Sequence, residues 1–226
     1  MPAGAAAQRA GGRERAKRWR RVSHLALWGL SLAPAVVTLV HTFTDRLGVN
    51  PIETLTNRTG WWAILHLVLT LAVTPVRRLT GWHWLVRYRR QIGLGAFVYA
   101  SLHLGVYAFL DLGLDLSHLV EDVLERPFMT IGFAAWLILL VLAVTSTNGW
   151  IRRLGRRWTT LHRLVYVAAG LVSLHFVWGK KTLQAEPLVF AGVFALLLGA
   201  RALFSWRRRR AQKGQGAGRR EAAPLA

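Results

Sequence analysis

Apolar residues along the chain fall into six long stretches separated by short polar ones. The stretches cover residues 22–43, 60–76, 91–112, 128–147, 158–178 and 187–206. Each is about as long as the roughly 17 to 25 helical residues that cross a bilayer core. Most of them are apolar on every face, which is typical of helices that contact lipid and one another. The pattern predicts an all-α integral membrane protein whose six-transmembrane helix bundle covers residues 22–206.

The two ends of the chain differ from this middle part. Residues 1–21 and 207–226 are rich in Ala, Gly and Arg and hold few large apolar residues, so we expect disordered basic arms. Arg20 and Arg21 precede the first apolar stretch as they would in a signal peptide, but that stretch continues to Phe43. It is too long for a cleaved leader and indicates a membrane anchor.

Positive charge is concentrated on every second connection. The two arms and the connections at 77–90 and 152–157 together hold 23 Lys and Arg residues. The other connections hold five, which are Arg46, Arg58, Arg126, Lys180 and Lys181. The positive-inside rule then places both termini in the cytoplasm, which requires an even number of spans. The net charge of +20 therefore reflects topology and contact with membrane lipid, and we expect no nucleic-acid partner.

The composition narrows the chemistry. The 226 residues include no cysteine, which excludes disulfides, iron–sulfur clusters, thiolate zinc sites and covalent Cys-x-x-Cys-His haem attachment. The chain is also too short to combine this membrane domain with a nucleotide-binding domain. Two possibilities remain, which are a dissociable cofactor held by histidine and the absence of any cofactor.

Ionisable residues inside a membrane are costly and point to function. Counting about 1.5 Å per helical residue from Arg90 and Arg157 places His103 about 20 Å and His175 about 27 Å from the cytoplasmic side. Both therefore belong to the outer half of the membrane, within reach of one plane. Two neutral imidazoles from neighbouring helices are what a six-coordinate b-type haem requires. We expect His103 and His175 to be its axial ligands. Glycines that would let the flat ring approach are Gly93, Gly95, Gly105 and Gly170.

Three other histidines in or near the spans have a simpler interpretation open to them. A hydrogen bond to a neighbouring helix is the usual role of a single membrane histidine, and we expect it for His24 and His41 near span ends. His66, about 16 Å from Arg77, is evenly balanced between that role and support for, or replacement of, a haem ligand.

His162 is about 7 Å from Arg157 and lacks an obvious partner. The positions of the third span at its level are Arg89 and Arg90, which cannot ligate iron. A second haem with a partner such as His24, or a flavin near the cytoplasmic surface, would both suit it. Arg163 beside it would then meet a propionate or phosphate, or else extend to the water.

Several sequence motifs resemble one family. They are RRQIGL at 89–94, YASLHL at 99–104, RPFMTIG at 126–132, LAVTSTNGW at 142–150, LGRRW at 154–158, LHRLVY at 161–166 and HFVW at 175–178. TPVRR at 74–78 also matches, with Val76 where Leu is more usual. Together they resemble the membrane haem subunit of the bacterial periplasmic methionine-sulfoxide reductase system (the MsrPQ type), within the ferric reductase-like transmembrane superfamily. The resemblance covers about 22–204 and is densest over 87–181.

The resemblance implies b-type haem, with His103, His162 and His175 as the characteristic histidines, and an FMN cofactor whose residues are not located; His66 lies outside the pattern. It implies a non-catalytic, multi-pass subunit of the bacterial inner membrane. Electrons would come from the quinone pool or from a cytoplasmic flavin reductase. They would pass to a periplasmic molybdopterin catalytic subunit that reduces methionine sulfoxide in oxidised proteins.

The third connection carries five acids that could dock this partner, although an outer loop depleted of positive charge looks similar. These acids are Asp111, Asp115, Glu121, Asp122 and Glu125. Two other functions stay open. One is a proton- or ion-coupled transporter using His66, His103 and His175 as a polar relay. The other is a transmembrane ferric reductase with the same fold.

Overall fold

The computed structural model describes residues 3–179 and 184–221. Lys180 and Lys181, part of the predicted charge pattern, lie outside the described residues. Within these ranges the regular structure is helical. The α-helices are α1 (Ala3–Phe43), α2 (Pro51–Thr80), α3 (Arg89–Val106), α4 (Leu116–Glu125), α5 (Pro127–Val144), α6 (Asn148–Leu154), α7 (Arg156–Leu161), α8 (Leu164–Trp178) and α9 (Ala185–Glu221). A 3₁₀ turn, His83–Arg87, precedes α3, and a π-helical turn, Tyr107–Asp111, follows it.

Six helical segments are long and apolar enough to cross a membrane, as the sequence predicts. They are Glu14–Phe43, Pro51–Thr80, Arg89–Asp111, Pro127–Val144, Arg156–Trp178 and Ala185–Arg207. The fifth is interrupted by a turn at His162 and Arg163, which separates α7 from α8. The protein is therefore a multi-pass helical membrane protein.

Helix α2 begins nine residues before the predicted apolar stretch. Asn50 caps it by accepting a hydrogen bond from the Glu53 backbone N–H at 3.2 Å, and Pro51 occupies the first turn, where its missing N–H costs nothing. Trp61 and Trp62 therefore lie within the helix, although the sequence predicts them at a span end. Trp61 packs on Phe190, and Trp62 packs on Tyr99.

The crossing helices pack in a closed order. Helix α3 contacts α2 and α5, α5 contacts α8, and α9 contacts both α8 and α2, while α1 lies against α2 and α3. Buried Leu67, Leu71 and Phe194 fill the centre, where Ala96 and Ala168 are fully buried. Small residues at such contacts let helix backbones approach closely, which is the main source of attraction between helices in lipid.

The bundle has two chemically different ends. The end that carries both arms, 77–90 and 148–157 is called the basic end. The end that carries 44–53, 111–126 and 184–186 is called the acidic end. Eight of the ten Asp and Glu residues lie at the acidic end, and only Glu14 and Glu221 lie in the arms. The predicted separation of charge is thus present in three dimensions.

Backbone helix continues into both arms, where the sequence favours disorder. Helix α1 begins at Ala3 and α9 continues to Glu221. Ala, Arg, Lys and Gln have high intrinsic helix propensity, so an arm made of them extends a helix already fixed in the membrane without a new nucleation step.

Helix α1 is held to α3 at a proline. Pro34 interrupts the hydrogen bonds of α1. The buried hydroxyl of Tyr99 lies between two backbone groups that are partners in a regular helix: it accepts from the Ala35 N–H at 3.1 Å and donates to the Ser31 carbonyl at 2.7 Å. One side chain of α3 therefore satisfies the weakened turn of α1.

Candidate histidine pair and the two ends of the bundle

His103 is positioned by α2. Its Nδ1 donates a hydrogen bond to the Thr56 carbonyl at 2.9 Å. The ring lies over Gly60, where an added Cβ would come within 3.1 Å of Nδ1. The half-buried ring therefore depends on the Thr56 carbonyl as an acceptor and on the absence of a side chain at Gly60 of the facing helix.

His175 is held in the same way by α5. Its Nδ1 donates to the Phe128 carbonyl at 2.7 Å, and the Phe128 ring stacks on the imidazole with a centroid separation of 6.1 Å. A Cβ on Gly132 would lie 2.6 Å from both Nδ1 and Cε1 of His175. That separation is far inside the optimal contact distance of about 3.5–4.0 Å. Only glycine fits at this position while the ring keeps its place.

The two rings face each other across the bundle interior. Their centroids are 6.2 Å apart and their planes lie at 83°. A carbonyl oxygen can only accept, so each Nδ1 carries the proton and each Nε2 keeps its lone pair. The structure therefore brings His103 and His175 to the same level of the bundle, as counting along the helices predicts.

This arrangement fits an axial haem pair. An imidazole nitrogen binds a first-row metal at about 2 Å, as it binds zinc, so two rings on opposite sides of one ion have centroids about 6 Å apart. Metal-ligating histidines also usually donate their second nitrogen to a carbonyl or carboxylate. In the described part of the chain no three His, Cys, Asp or Glu side chains converge on a possible metal position, so the histidine pair is the arrangement available.

His66 lies in a separate environment between α2 and α3. It is 4% exposed, its Nδ1 donates to the Trp62 carbonyl of its own helix at 2.8 Å, and its ring lies 5.1 Å from that of Tyr99. A Cβ on Gly95 would lie 2.5 Å from Cδ2 of His66. Gly95, expected to face a macrocycle, instead accommodates this imidazole.

His162 lies at the turn between α7 and α8. Its Nδ1 donates to the Trp158 carbonyl at 3.1 Å, and the Trp158 ring stacks on it with a centroid separation of 3.9 Å. Its Nε2 lies 3.3 Å from Ser146 Oγ, but that hydroxyl donates to the Leu142 carbonyl. The Nε2 lone pair therefore receives no proton from Ser146. The neighbouring Arg163 side chain is exposed.

His24 and His41 make the expected helix-to-helix hydrogen bonds. His24 Nδ1 pairs with Gln91 Oε1 at 2.7 Å, and Gln91 Nε2 donates to the His24 carbonyl at 2.7 Å. Arg58 donates to His41 Nδ1 at 3.0 Å. His24 is thus tied to α3 by two hydrogen bonds.

The glycines that position the rings were not those that the sequence indicates. Gly60 and Gly132 face His103 and His175, whereas Gly93 contacts Thr70 and Gly170 faces open space. One feature of the sequence could have indicated Gly132. It ends the motif at 126–132 and follows Phe128 by four residues, about one helical turn. Which helix faces which cannot be read from spacing alone.

Helix α4 presents the acids of the acidic end. The Asp115 carboxylate caps the helix by accepting from the His118 backbone N–H at 3.1 Å, and it pairs with the His118 ring at 2.8 Å. Hydrogen bonds from Ser117 and His118 lower the pKa of Asp115, and the hydrogen bond to Asp115 raises the pKa of His118. Asp122 accepts from Tyr107 and pairs with Arg126 at 2.9 Å.

Helix α4 is amphipathic as well as acidic. One side carries exposed apolar residues one turn apart, Leu116, Val120 and Leu124. Glu121 and Glu125 are exposed on the polar side. The helix joins the ends of two membrane-crossing helices, so it lies at the surface of the membrane with its polar side available to a partner.

Comparison with known sequences first defines the class. Residues 59–173 match the family described as "Ferric reductase like transmembrane component". The matched region includes His103, Gly132 and His162 and ends two residues before His175. No solved structure shows a significant match to this chain.

Curated relatives then define the protein within that class. A protein-methionine-sulfoxide reductase heme-binding subunit MsrQ from Ralstonia nicotianae is 48% identical over 190 residues, which is 83% of this chain and 88% of the relative. MsrQ from Herminiimonas arsenicoxydans is 46% identical over 183 residues, 79% of this chain and 84% of the relative. MsrQ from Xanthomonas oryzae pv. oryzae is 46% identical, covering 81% and 82%. The chain belongs to the MsrQ family of ferric reductase-like membrane subunits.

Proposed function

We propose that the protein is an electron-transfer subunit that holds b-type haem between His103 and His175. The main observation in its support is the 6.2 Å separation of the two imidazole ring centroids. The Nδ1 atom of each ring donates a hydrogen bond to a backbone carbonyl. The relatives are named heme-binding subunits, which agrees with this proposal. Bound haem would supply one-electron chemistry, with both axial positions filled and no open site for a substrate.

The residues around the pair determine how it works. The Thr56 and Phe128 carbonyls hold each ring in the tautomer with Nε2 unprotonated and make that nitrogen a stronger ligand. Gly60 and Gly132 allow the rings to lie close to α2 and α5, where each ring keeps its hydrogen bond to a carbonyl. Preorganisation of this kind keeps ligand geometry fixed while the charge on the iron changes.

We further propose the direction of transfer. With the basic end in the cytoplasm of a bacterium and the chain in the inner membrane, the histidine pair lies toward the periplasm. Electrons enter from the quinone pool or a cytoplasmic flavin reductase and leave to a periplasmic molybdopterin subunit that reduces methionine sulfoxide. The names of the relatives support a methionine-sulfoxide reductase system. The donor and an FMN cofactor belong to the same proposal. So do a second haem at His162, with Arg163 meeting its propionate, and support of a haem ligand by His66.

The docking surface for the partner is helix α4 at the acidic end. Its exposed carboxylates on α4 would attract a basic patch and increase the association rate more than the affinity. Replacing Glu121 and Glu125 with Gln should raise the apparent Kd for the catalytic subunit several-fold at low salt and little at high salt. Asp45→Asn, at the same end but outside α4, is the matched control.

A haem spectrum tests the central proposal. The detergent-purified full chain should give a dithionite-reduced minus oxidised spectrum of six-coordinate b-type haem. His103→Ala and His175→Ala should each remove the signal of the haem held between these two residues, and His118→Ala, an exposed histidine at the acidic end, should retain it. A colourless wild-type protein from cells well supplied with haem would overturn the proposal. His162→Ala distinguishes one haem from two. Loss of part of the signal would indicate a second haem at His162, and an unchanged signal would indicate one haem.

The same fold would serve a transmembrane ferric reductase. A strain lacking this protein separates the two functions, because loss of methionine-sulfoxide repair in the periplasm supports the proposed role and retained repair contradicts it. The carbonyl-bound Nδ1 atoms disfavour the transporter alternative, since a relay needs histidines that exchange protons at both ring nitrogens.

A further inference from the structure

One buried charge in the bundle is outside the histidine site. Arg201 lies on α9, six residues before the end of the last membrane-crossing segment at Arg207. Its side chain turns into the bundle: Nη2 donates to Thr74 Oγ1 of α2 at 2.6 Å, and the guanidinium lies 4.9 Å from the centroid of the Tyr166 ring of α8. Three helices therefore meet around one guanidinium.

The hydrogen bonding of this guanidinium is incomplete. Nη1 of Arg201 is buried and is the one side-chain nitrogen or oxygen of the described residues that is buried without a hydrogen-bond partner. A guanidinium carries five N–H donors. Leaving a charged donor unsatisfied costs more than the roughly 1–3 kcal/mol of a neutral group. A missing partner is therefore expected at this position.

The described residues do not supply a counter-charge there. The ion pairs among the described residues are Lys17–Glu14, His118–Asp115 and Arg126–Asp122, and the last two are at the acidic end. Positive charge lies nearby instead, since Arg78 follows Thr74 by one turn of α2. Arg78 itself lies over the Phe204 ring at 4.7 Å.

We propose that Arg78 and Arg201, the arginine cluster, bind a phosphate group of a ligand from outside the chain. Phosphate matches the planar fork of a guanidinium and neutralises several arginines at once. The cluster lies about 9 Å from the basic end of the last span, counting from Arg207. A phosphate at this depth comes either from a phospholipid headgroup or from a flavin mononucleotide. This phosphate site is separate from the proposed haem site.

Binding of four probes to the purified full chain tests this proposal and its source. The four probes form two pairs. Phosphatidylglycerol and FMN bear a phosphate, and diacylglycerol and riboflavin are their phosphate-free counterparts. Native mass spectrometry and a thermal-shift titration should show binding of one phosphate-bearing probe and at least tenfold weaker binding of its phosphate-free counterpart. Binding of phosphatidylglycerol assigns the site to lipid, and binding of FMN assigns it to the flavin.

Variants test the residues. Arg201→Gln should weaken binding of that probe at least tenfold, and Arg207→Gln, exposed on the same helix, should leave it unchanged. Should Arg201→Gln fail to keep its helical circular dichroism, Arg78→Gln decides, because Arg78 is exposed and its loss should weaken binding several-fold. Equal binding of phosphate-bearing and phosphate-free probes, no binding of either phosphate probe, or full retention in Arg78→Gln overturns the proposal.

Discussion

Three histidine rings in this protein each lie against a glycine of a neighbouring helix. His66 faces Gly95, His103 faces Gly60 and His175 faces Gly132. The glycine is required by close approach and not by backbone conformation, since all three lie in regular helix. Ring position is therefore determined by pairs of residues on different helices.

The contact between Gly132 and His175 gives a direct prediction. Gly132→Ala places a Cβ 2.6 Å from the His175 ring, so the ring must rotate away from the Phe128 carbonyl. We expect haem content per protein, measured as the pyridine haemochrome, to fall severalfold. Gly170→Ala adds the same atom in open space and should leave haem content unchanged; equal content in both variants would contradict the role of Gly132.

The Tyr99 hydroxyl gives a second prediction. Tyr99→Phe removes the group that bridges Ala35 and Ser31 in the weakened turn of α1. Thermal unfolding in detergent should show a loss of about 1 kcal/mol, the usual value of one hydrogen bond, or more if Ala35 and Ser31 do not pair with each other. Tyr88→Phe, which keeps the ring contact with His24, is the control and should change stability less.

Among the elements, the fifth membrane-crossing segment departs most from its sequence pattern. On an ideal helix His162 and His175 would not share a face. The turn at His162 and Arg163 divides the segment, so the number of residues between them does not give their relative direction. Gly155, with φ of 50°, separates α6 from α7 in the same region. Apolar length predicts the span, but it does not reveal an internal turn. The Trp158 side chain, just before this turn, donates to the Thr145 carbonyl at the end of α5 at 2.9 Å.

Helix α4 should depend on pH through its N-cap. The lowered pKa of Asp115 stabilises the helix above the ordinary aspartate pKa of about 3.9, and this contribution is lost as pH falls through the lowered value. The raised pKa of His118 stabilises it below about 6.5, and this contribution is lost as pH rises through the raised value. The helix should therefore be most resistant to limited proteolysis near pH 5.

The pH prediction is checked by comparing cleavage rates within α4 at pH 5 and pH 8. Wild type should be cleaved more slowly at pH 5, and Asp115→Ala should be cleaved faster with little pH dependence. Glu125→Gln, at the other end of the helix, should retain the wild-type pattern. An unchanged pH dependence in Asp115→Ala would show that the cap is not responsible.

At the scale of the whole molecule, the separation of a basic end from an acidic end determines orientation. The proposed orientation places the basic connections in the cytoplasm, because translocating positive residues is unfavourable. The natural absence of cysteine makes orientation simple to measure with single introduced cysteines.

Labelling with a membrane-impermeant maleimide gives the fourth prediction. Ser117→Cys on exposed α4 should be labelled in intact spheroplasts, whereas Thr80→Cys, exposed at the basic end of α2, should be labelled only after permeabilisation. The reverse pattern would invert the proposed topology and with it the direction of electron transfer.

The sequence by itself determined the number of spans, the charge asymmetry and the pairing of His103 with His175, because bilayer thickness and helical rise translate directly into residue counts. Only the tertiary structure decided which glycine faces each ring, which carbonyls orient the two imidazoles, where the fifth span breaks and that Arg201 turns inward. These features depend on the rotation of each helix about its axis and on its neighbours. An apolar stretch that is uniform on all faces carries little information about either.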